Sequence, residues 1–134
     1  MSIRIIHPEN WPSTPGYSPG IIAQGQQLFI AGQIGWNEQQ VFETDDFIAQ
    51  FAQALDHVIC IVHSAGGEIG DLTEMTVFVT DLDAYRTRTK ELGKVWRTRM
   101  GKHYPAMALI GVQGLVEKQA LVEIQARAVI DSAD

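Results

Sequence analysis

The hydrophobic period of this chain changes along its length, and that change restricts the fold more than any other feature. In IIAQG followed by QLFIAGQIG, β-branched and aromatic residues form two strand-like runs around a turn at Gly25-Gln26, which predicts a hairpin-like pair. From Thr44 the period becomes helical: Phe47, Phe51, Leu55, Val58 and Val62 step by four, four, three and four, which places them on one stripe. Thr44 is the expected N-cap, Asp45 and Asp46 suit the positive end of the dipole, and Gly66-Gly67 is the expected stop. EMTVFVTD at 74–81 is apolar on both faces, with Met75, Val77 and Val79 against Phe78, the pattern of a strand at the centre of a sheet. Tyr85, Leu92, Trp96 and Met100 mark a second helix, ended by Gly101 and Pro105. Two strands close the chain, AMALIGV at 106–112 and ALVEIQARAVI at 120–130. In the last, Val122, Ile124 and Ala126 alternate with Glu123, Gln125 and Arg127.

This order has too few crossovers for a doubly wound sheet and predicts an α+β sandwich with both helices on one face. A mixed sheet with apolar residues on both sides needs cover on its second face, and self-association supplies it. At 134 residues the chain fits a single domain spanning 1–134, large enough to bury roughly two thirds of its unfolded surface. The Pro/Gly-rich segment WPSTPGYSPG at 11–20 reads as a loop of that domain rather than a linker.

Charge and composition exclude several functions. A net charge of −6 repels phosphate at long range and argues against nucleic acid as a partner. No segment approaches the ~20 apolar residues of a membrane span, and no leader precedes the first strand, so a cytoplasmic protein with no membrane partner is expected. Cys60 is the only cysteine and, between Ile59 and Ile61, is expected to be a buried small hydrophobe. His7, His57, His63 and His103 lack ligand spacing, so no metal is predicted. GQIG lacks the lysine of a phosphate loop, and no cofactor is expected. Arg86, Arg88, Lys90, Lys94, Arg97, Arg99 and Lys102 place seven of the ten Lys and Arg on or just after the second helix. A solvated face, balanced by Glu43, Asp45, Asp46 and Asp56 at the first helix, is the plain reading; a cation serving a ligand cleft, or a helix touching nucleic acid, is the sharper one.

Three segments, PGYSPGIIAQGQQLFIAGQIG, MTVFVTDL and YPAMALIGVQGL followed by LVEIQARAV, resemble the Rid/YjgF family, also called the endoribonuclease L-PSP family. The resemblance implies a chorismate-mutase-like α+β fold: a mixed six-stranded sheet, two helices on one face, and a homotrimer whose sheets form a central barrel with ligand clefts between subunits. It also implies hydrolytic deamination of reactive enamines or imines. In the deaminases of that family an arginine directly after a Pro-Ala pair clamps a substrate carboxylate. Here that position is Met107, which offers neither charge nor donor.

Ala31 and Leu109 stand where the family often has serine and cysteine, and a usual asparagine falls near Thr89 or Lys90. Two matching positions survive. By resemblance, Tyr17 lines the cleft and Glu123 positions the attacking water, while Gly32 lets the backbone approach a ligand. Substrate-binding positions are then Ala31, Gly32, Lys90, Met107, Ala108 and Leu109, and the ligand is a small molecule less acidic than an amino-acid-derived imine. A non-catalytic metabolite-binding trimer is the alternative; ribonuclease or translation-inhibitor activity follows only from the family's other name.

Overall fold

The computed structural model describes residues 3–131; residues 1–2 and 132–134, the ends of the expected domain, lie outside the described residues. The elements run β1 (Ile3–Ile6), β2 (Gly20–Ala23), β3 (Gln26–Ile34), α1 (Phe47–Ser64), a 3-10 turn (Ile69–Asp71), β4 (Leu72–Val79), α2 (Leu82–Thr87), α3 (Thr89–Met100), β5 (Ala106–Gly111) and β6 (Val122–Ile130). This is the α+β class that the alternating periods predict.

Hydrogen bonding divides the six strands. β3, β6, β4 and β5 form a mixed sheet in that order, and β1 and β2 form a separate antiparallel pair. The hairpin expected over 20–34 is therefore corrected: β2 pairs with β1, and β3 pairs antiparallel with β6. β4 is central, as its two apolar faces require, antiparallel to β6 and parallel to β5.

The helical stripe is buried throughout, from Phe47 at 6% exposure to Leu55, Val58 and Val62 at 0%. It packs on Met75, Val77, Val79, Val122, Ile124 and Ala126 of the sheet, together with Leu92, Trp96 and Met100 of α3. Each such side chain contributes about 1.5–3 kcal/mol by leaving water, which fixes both main helices on one face. Cap chemistry differs from expectation at one end. The N-cap of α1 is Asp46, whose side chain accepts from the Ala49 N–H, whereas the Thr44 hydroxyl accepts from the Asp46 N–H. Left-handed Gly66 (φ 83°) and Gly101 (φ 61°) end α1 and α3.

The second expected helix is two. Arg88 leaves helical geometry at φ −124°, ψ 29°, and its guanidinium bonds Asp46 at 2.8 Å and Glu91 at 2.7 Å. The break thus ties the start of α3 to the start of α1. Cys60 is also corrected: it is exposed, because it lies two residues from both Val58 and Val62, on the opposite side of α1 from the buried stripe. No helix among the described residues is long and apolar enough to cross a membrane.

Candidate functional site

The face of the sheet away from the helices is open. Cross-strand pairing arranges it in rows: Phe29, Arg127, Glu74 and Ala106; then Gln125, Thr76 and Ala108; then Glu123, Phe78 and Ile110. Between Ile30 and Gln33 the β3–β6 register shifts, so Ala31 and Gly32 together oppose Gln125. A bulge of this kind re-aims the strand and is common beside functional sites.

The bulge gives Gly32 its purpose. A Cβ there would fall against the Glu123 carboxylate, 2.6 Å from its Cδ, so only glycine leaves that side chain its place over the strand. Gln33 closes the bulge locally by donating from its amide to the Ala31 carbonyl at 3.0 Å. Glu123, Gly32 and Ala31 are thus brought together at the β3 side of the sheet, with Glu123 half-buried and both bulge residues exposed.

A second group gathers at the opposite edge. Ser18 is buried, its N–H donates to the Pro105 carbonyl at 3.1 Å, and its hydroxyl donates to the Tyr104 carbonyl. These bonds pin the 11–20 loop to the head of β5 and set the neighbouring Tyr17, 44% exposed, beside that edge. Thr14 shapes the same turn by donating to the Tyr17 carbonyl at 2.7 Å. Along β5, Met107 pairs with buried Met75, and Met107 and Leu109 both pack against the core. Ala108, between them, faces the open side.

The two groups do not meet within one chain. Two strand spacings separate β6 from β5, roughly 10 Å, and Glu123 lies four residues along β6 from the row that contains Ala106, roughly 13 Å. Lys90 is exposed on the first turn of α3. Arg88, another cation of the basic run, is engaged by Asp46 and Glu91. Those bonds hold both carboxyls below their ordinary values and raise the guanidinium further. Arg99 is likewise paired with Asp56 at 2.7 Å, so part of the basic run is the balanced face that the sequence suggests.

Sequence reasoning missed the buried Gln50. At 0% exposure it donates to the Thr44 and Gln119 carbonyls, each at 3.0 Å, and accepts from the Leu121 N–H at 2.8 Å. That side chain fixes the entry to β6 and hence the position of Glu123. Its only sequence signal is a polar residue on the apolar stripe of α1.

The family model described as Endoribonuclease L-PSP matches residues 9–130. A RutC family protein of Pasteurella multocida is 30% identical over 94% of this chain and 97% of its own length. At 32% identity over the same shares, the chain is similar to the 2-iminobutanoate/2-iminopropanoate deaminase of Escherichia coli K12. Among solved structures, the Rid-family protein YyfB of Yersinia pestis superposes with a TM-score of 0.86 at 29% identity, covering 97% of this chain and all of its own. RidA from an Antarctic Psychrobacter superposes at 0.67 with 28% identity, covering 95% and 99%. With the fold, the order of motifs and nearly the whole length in agreement, the chain belongs to the endoribonuclease L-PSP family, the Rid/YjgF proteins.

Proposed function

We propose that the chain hydrolyses a small reactive enamine or imine to a carbonyl compound and ammonia, in a cleft completed between copies of a homotrimer. The observation that carries this reading is the Glu123 carboxylate seated over Gly32 at the bulge, in a family whose relatives include a named iminobutanoate deaminase. The separation of the two residue groups to opposite sides of the sheet supports the inter-subunit cleft, since apposing two copies brings one group against the other.

The chemistry follows from the groups. A water held by Glu123 adds its oxygen to the imine carbon while the carboxylate takes up a proton. Protonation of the nitrogen and collapse of the tetrahedral adduct break the C–N bond, release ammonia and leave the carbonyl. Tyr17 orients the ligand, and backbone groups at Gly32 and Met107-Ala108 supply fixed dipoles to the developing charge. Ala31 and Leu109 make apolar walls. With Met107 in place of a carboxylate clamp, the substrate is less acidic than an amino-acid-derived imine, and Lys90, one of several exposed cations of the basic run, serves the ligand.

Subunit complementation tests both the chemistry and the cleft. Glu123→Gln and Tyr17→Ala should each lower ammonia release from a panel of neutral imines, Glu123→Gln by about 10²–10⁴-fold. Refolded together in equal amounts, they should regain about one quarter of wild-type activity, because a random assembly joins an intact Glu123 to an intact Tyr17 in roughly one cleft of four. No recovery would place both residues in one chain's site and refute the inter-subunit cleft, and unchanged turnover in Glu123→Gln would refute the mechanism.

A second reading, a non-catalytic metabolite-binding trimer, is favoured by the packing of Met107 against the core, which leaves the clamp position apolar. Ligand-dependent melting shifts without ammonia release from any imine would establish it, and multiple turnovers would reject it.

A further inference from the structure

The segment 101–105 between α3 and β5 is tied to β4, to α3 and to the 11–20 loop, and His103 joins the first two. The β4–β5 register begins only at Glu74 and Ala106, and the β4–β6 register shifts between Leu72 and Glu74, so ladder bonding is interrupted at the head of β4. There the carbonyl of Leu72, a residue at 0% exposure, accepts from His103 Nε2 at 2.7 Å. A carbonyl can only accept, so Nε2 carries the proton. The His103 carbonyl accepts in turn from Trp96 Nε1 of α3 at 3.1 Å, and the His103 N–H donates to the Met100 carbonyl at 3.1 Å. Next along the chain, the Tyr104 ring stacks on Trp96, with centroids 5.9 Å apart and planes 6° from parallel. The Tyr104 and Pro105 carbonyls are the two acceptors of Ser18, whose chain neighbour is Tyr17.

We propose that His103 is a positioning residue for the half of the cleft made by Tyr17 and the Met107-Ala108 backbone; this rests on the deaminase reading for what that half does, not for how it is held. His103 is fixed to β4 by its side chain and to α3 by both its N–H and its carbonyl, which leaves the peptide that follows little freedom. The Tyr104 and Pro105 carbonyls are thereby presented to the 11–20 loop, and Ser18 meets them with one hydroxyl and one N–H. Tyr17 precedes that pair of bonds by one residue, and Met107 follows Pro105 by two. One imidazole therefore sets two groups that are far apart in sequence. Losing its Nε2 donor leaves a buried carbonyl without a partner and lets the segment shift, and a misplacement of about 1 Å is enough to lower turnover about 100-fold. Glutamine carries a side-chain N–H donor at a similar reach and leucine carries none, so the two substitutions separate the bond from the bulk.

Fluorine NMR of the full chain labelled with fluorotyrosine tests this without any turnover, so a chain that hydrolyses no imine refutes the deaminase reading alone. The three tyrosines, Tyr17, Tyr85 and Tyr104, are assigned by single replacement with phenylalanine. Tyr85 is the internal control, since it precedes α3, whose 12 residues span about 18 Å before the segment is reached. His103→Leu should displace or split the Tyr17 resonance and leave Tyr85 in place, and His103→Gln should restore the wild-type Tyr17 signal. On an imine that the wild type turns over, kcat should follow the resonance, about tenfold or more lower in His103→Leu and recovered in His103→Gln. An unmoved Tyr17 resonance in His103→Leu overturns the proposal, as does a kcat that does not follow it. An equal shift in His103→Gln, or a shift of Tyr85 alongside Tyr17, also overturns it, by making His103 a general support of the fold. If His103→Leu fails to fold, Trp96→Phe keeps an aromatic ring beside Tyr104 and removes the donor to the His103 carbonyl. That variant should move the same Tyr17 resonance, and no movement overturns the proposal.

Discussion

Two glycines three residues apart should respond to alanine in opposite ways. Gly35 follows the end of β3 and is buried against α1: a Cβ there would lie 2.6 Å from the Gln50 Cα and 2.7 Å from its carbonyl oxygen. Those are backbone atoms in the first turns of a packed helix, so relief requires moving α1 off the sheet. Overpacking of that kind costs about 3 kcal/mol, near the upper end of the usual range, and at roughly 3–4 °C per kcal/mol for a chain of this size it lowers Tm by about 10 °C. Gly32 meets only side-chain atoms of Glu123, its carboxylate and, at 2.9 Å, its Cγ, and that side chain can swing away. The rotamer change costs roughly 0.5–1.5 kcal/mol, and replacing a strand glycine returns roughly 0.5–1 kcal/mol, so Tm should stay within about 2 °C. Differential scanning calorimetry at one fixed chain concentration makes the comparison, since the proposed assembly would link Tm to concentration. Truncating Gln50 to alanine should not rescue Gly35→Ala, because the clashing Cα, carbonyl and Cβ all remain. Equal melting of the two glycine variants, or rescue by the truncation, would refute this reasoning. Gly32→Ala should also reproduce the loss of ammonia release seen in Glu123→Gln, because it displaces the same carboxylate.

The remaining predictions concern the polar staples and the lone thiol. Gln50→Met keeps the volume but strands three backbone partners; at about 1 kcal/mol each it should cost about 3 kcal/mol, read as a lower denaturation midpoint with an unchanged slope. Asp46 has its pKa lowered from 3.8, first by the Arg88 hydrogen bond, so its contribution is fully present above that value and is lost as pH falls through the lower folded value. The Tm gap between wild type and Asp46→Asn, which keeps a good N-cap, should therefore shrink between about pH 5 and pH 2; a constant gap would contradict the ion pair. Cys60 should react with a thiol reagent at one equivalent per native chain without denaturant, and protection until unfolding would contradict its exposure.

Local signals along the chain specify elements more surely than partners. The α1 stripe was legible because five apolar residues at helical spacing admit no strand reading. Its cap was displaced by two residues because Thr44 and Asp46 are both cap formers, and the sequence does not say that Thr44 spends its oxygen on Asp46 itself. The supposed hairpin failed for a non-local reason: β3 finds its partner in β6, at the far end of the chain, and period alone carries no register. Nothing in the composition around Arg88 marked the α2–α3 break, since no glycine or proline stands there; two carboxylates, one on another helix, hold it. The exposure of Cys60 was legible from the stripe itself, but its isoleucine neighbours suggested burial.

The candidate site shows the same division between what is local and what is assembled. Alternation in β6 placed Glu123, Gln125 and Arg127 on one face, yet what separates their surroundings lies on neighbouring strands: a bulge with a missing Cβ beside Glu123, and Phe29 and Glu74 on either side of Arg127. Tyr17 is positioned through its backbone, by the Thr14 hydroxyl that donates to its carbonyl and by Ser18, whose two bonds reach across the fold to Tyr104 and Pro105. Because the strand order sets Gly32 and Glu123 apart from Tyr17 and Met107, no single-chain motif could contain the whole constellation. The proposed cleft draws on residues that are distant in one chain, and that ties the proposed chemistry to assembly. Substitutions that disturb only the packing of β5 or β3 against another copy should then lower turnover while leaving every residue of the constellation in place.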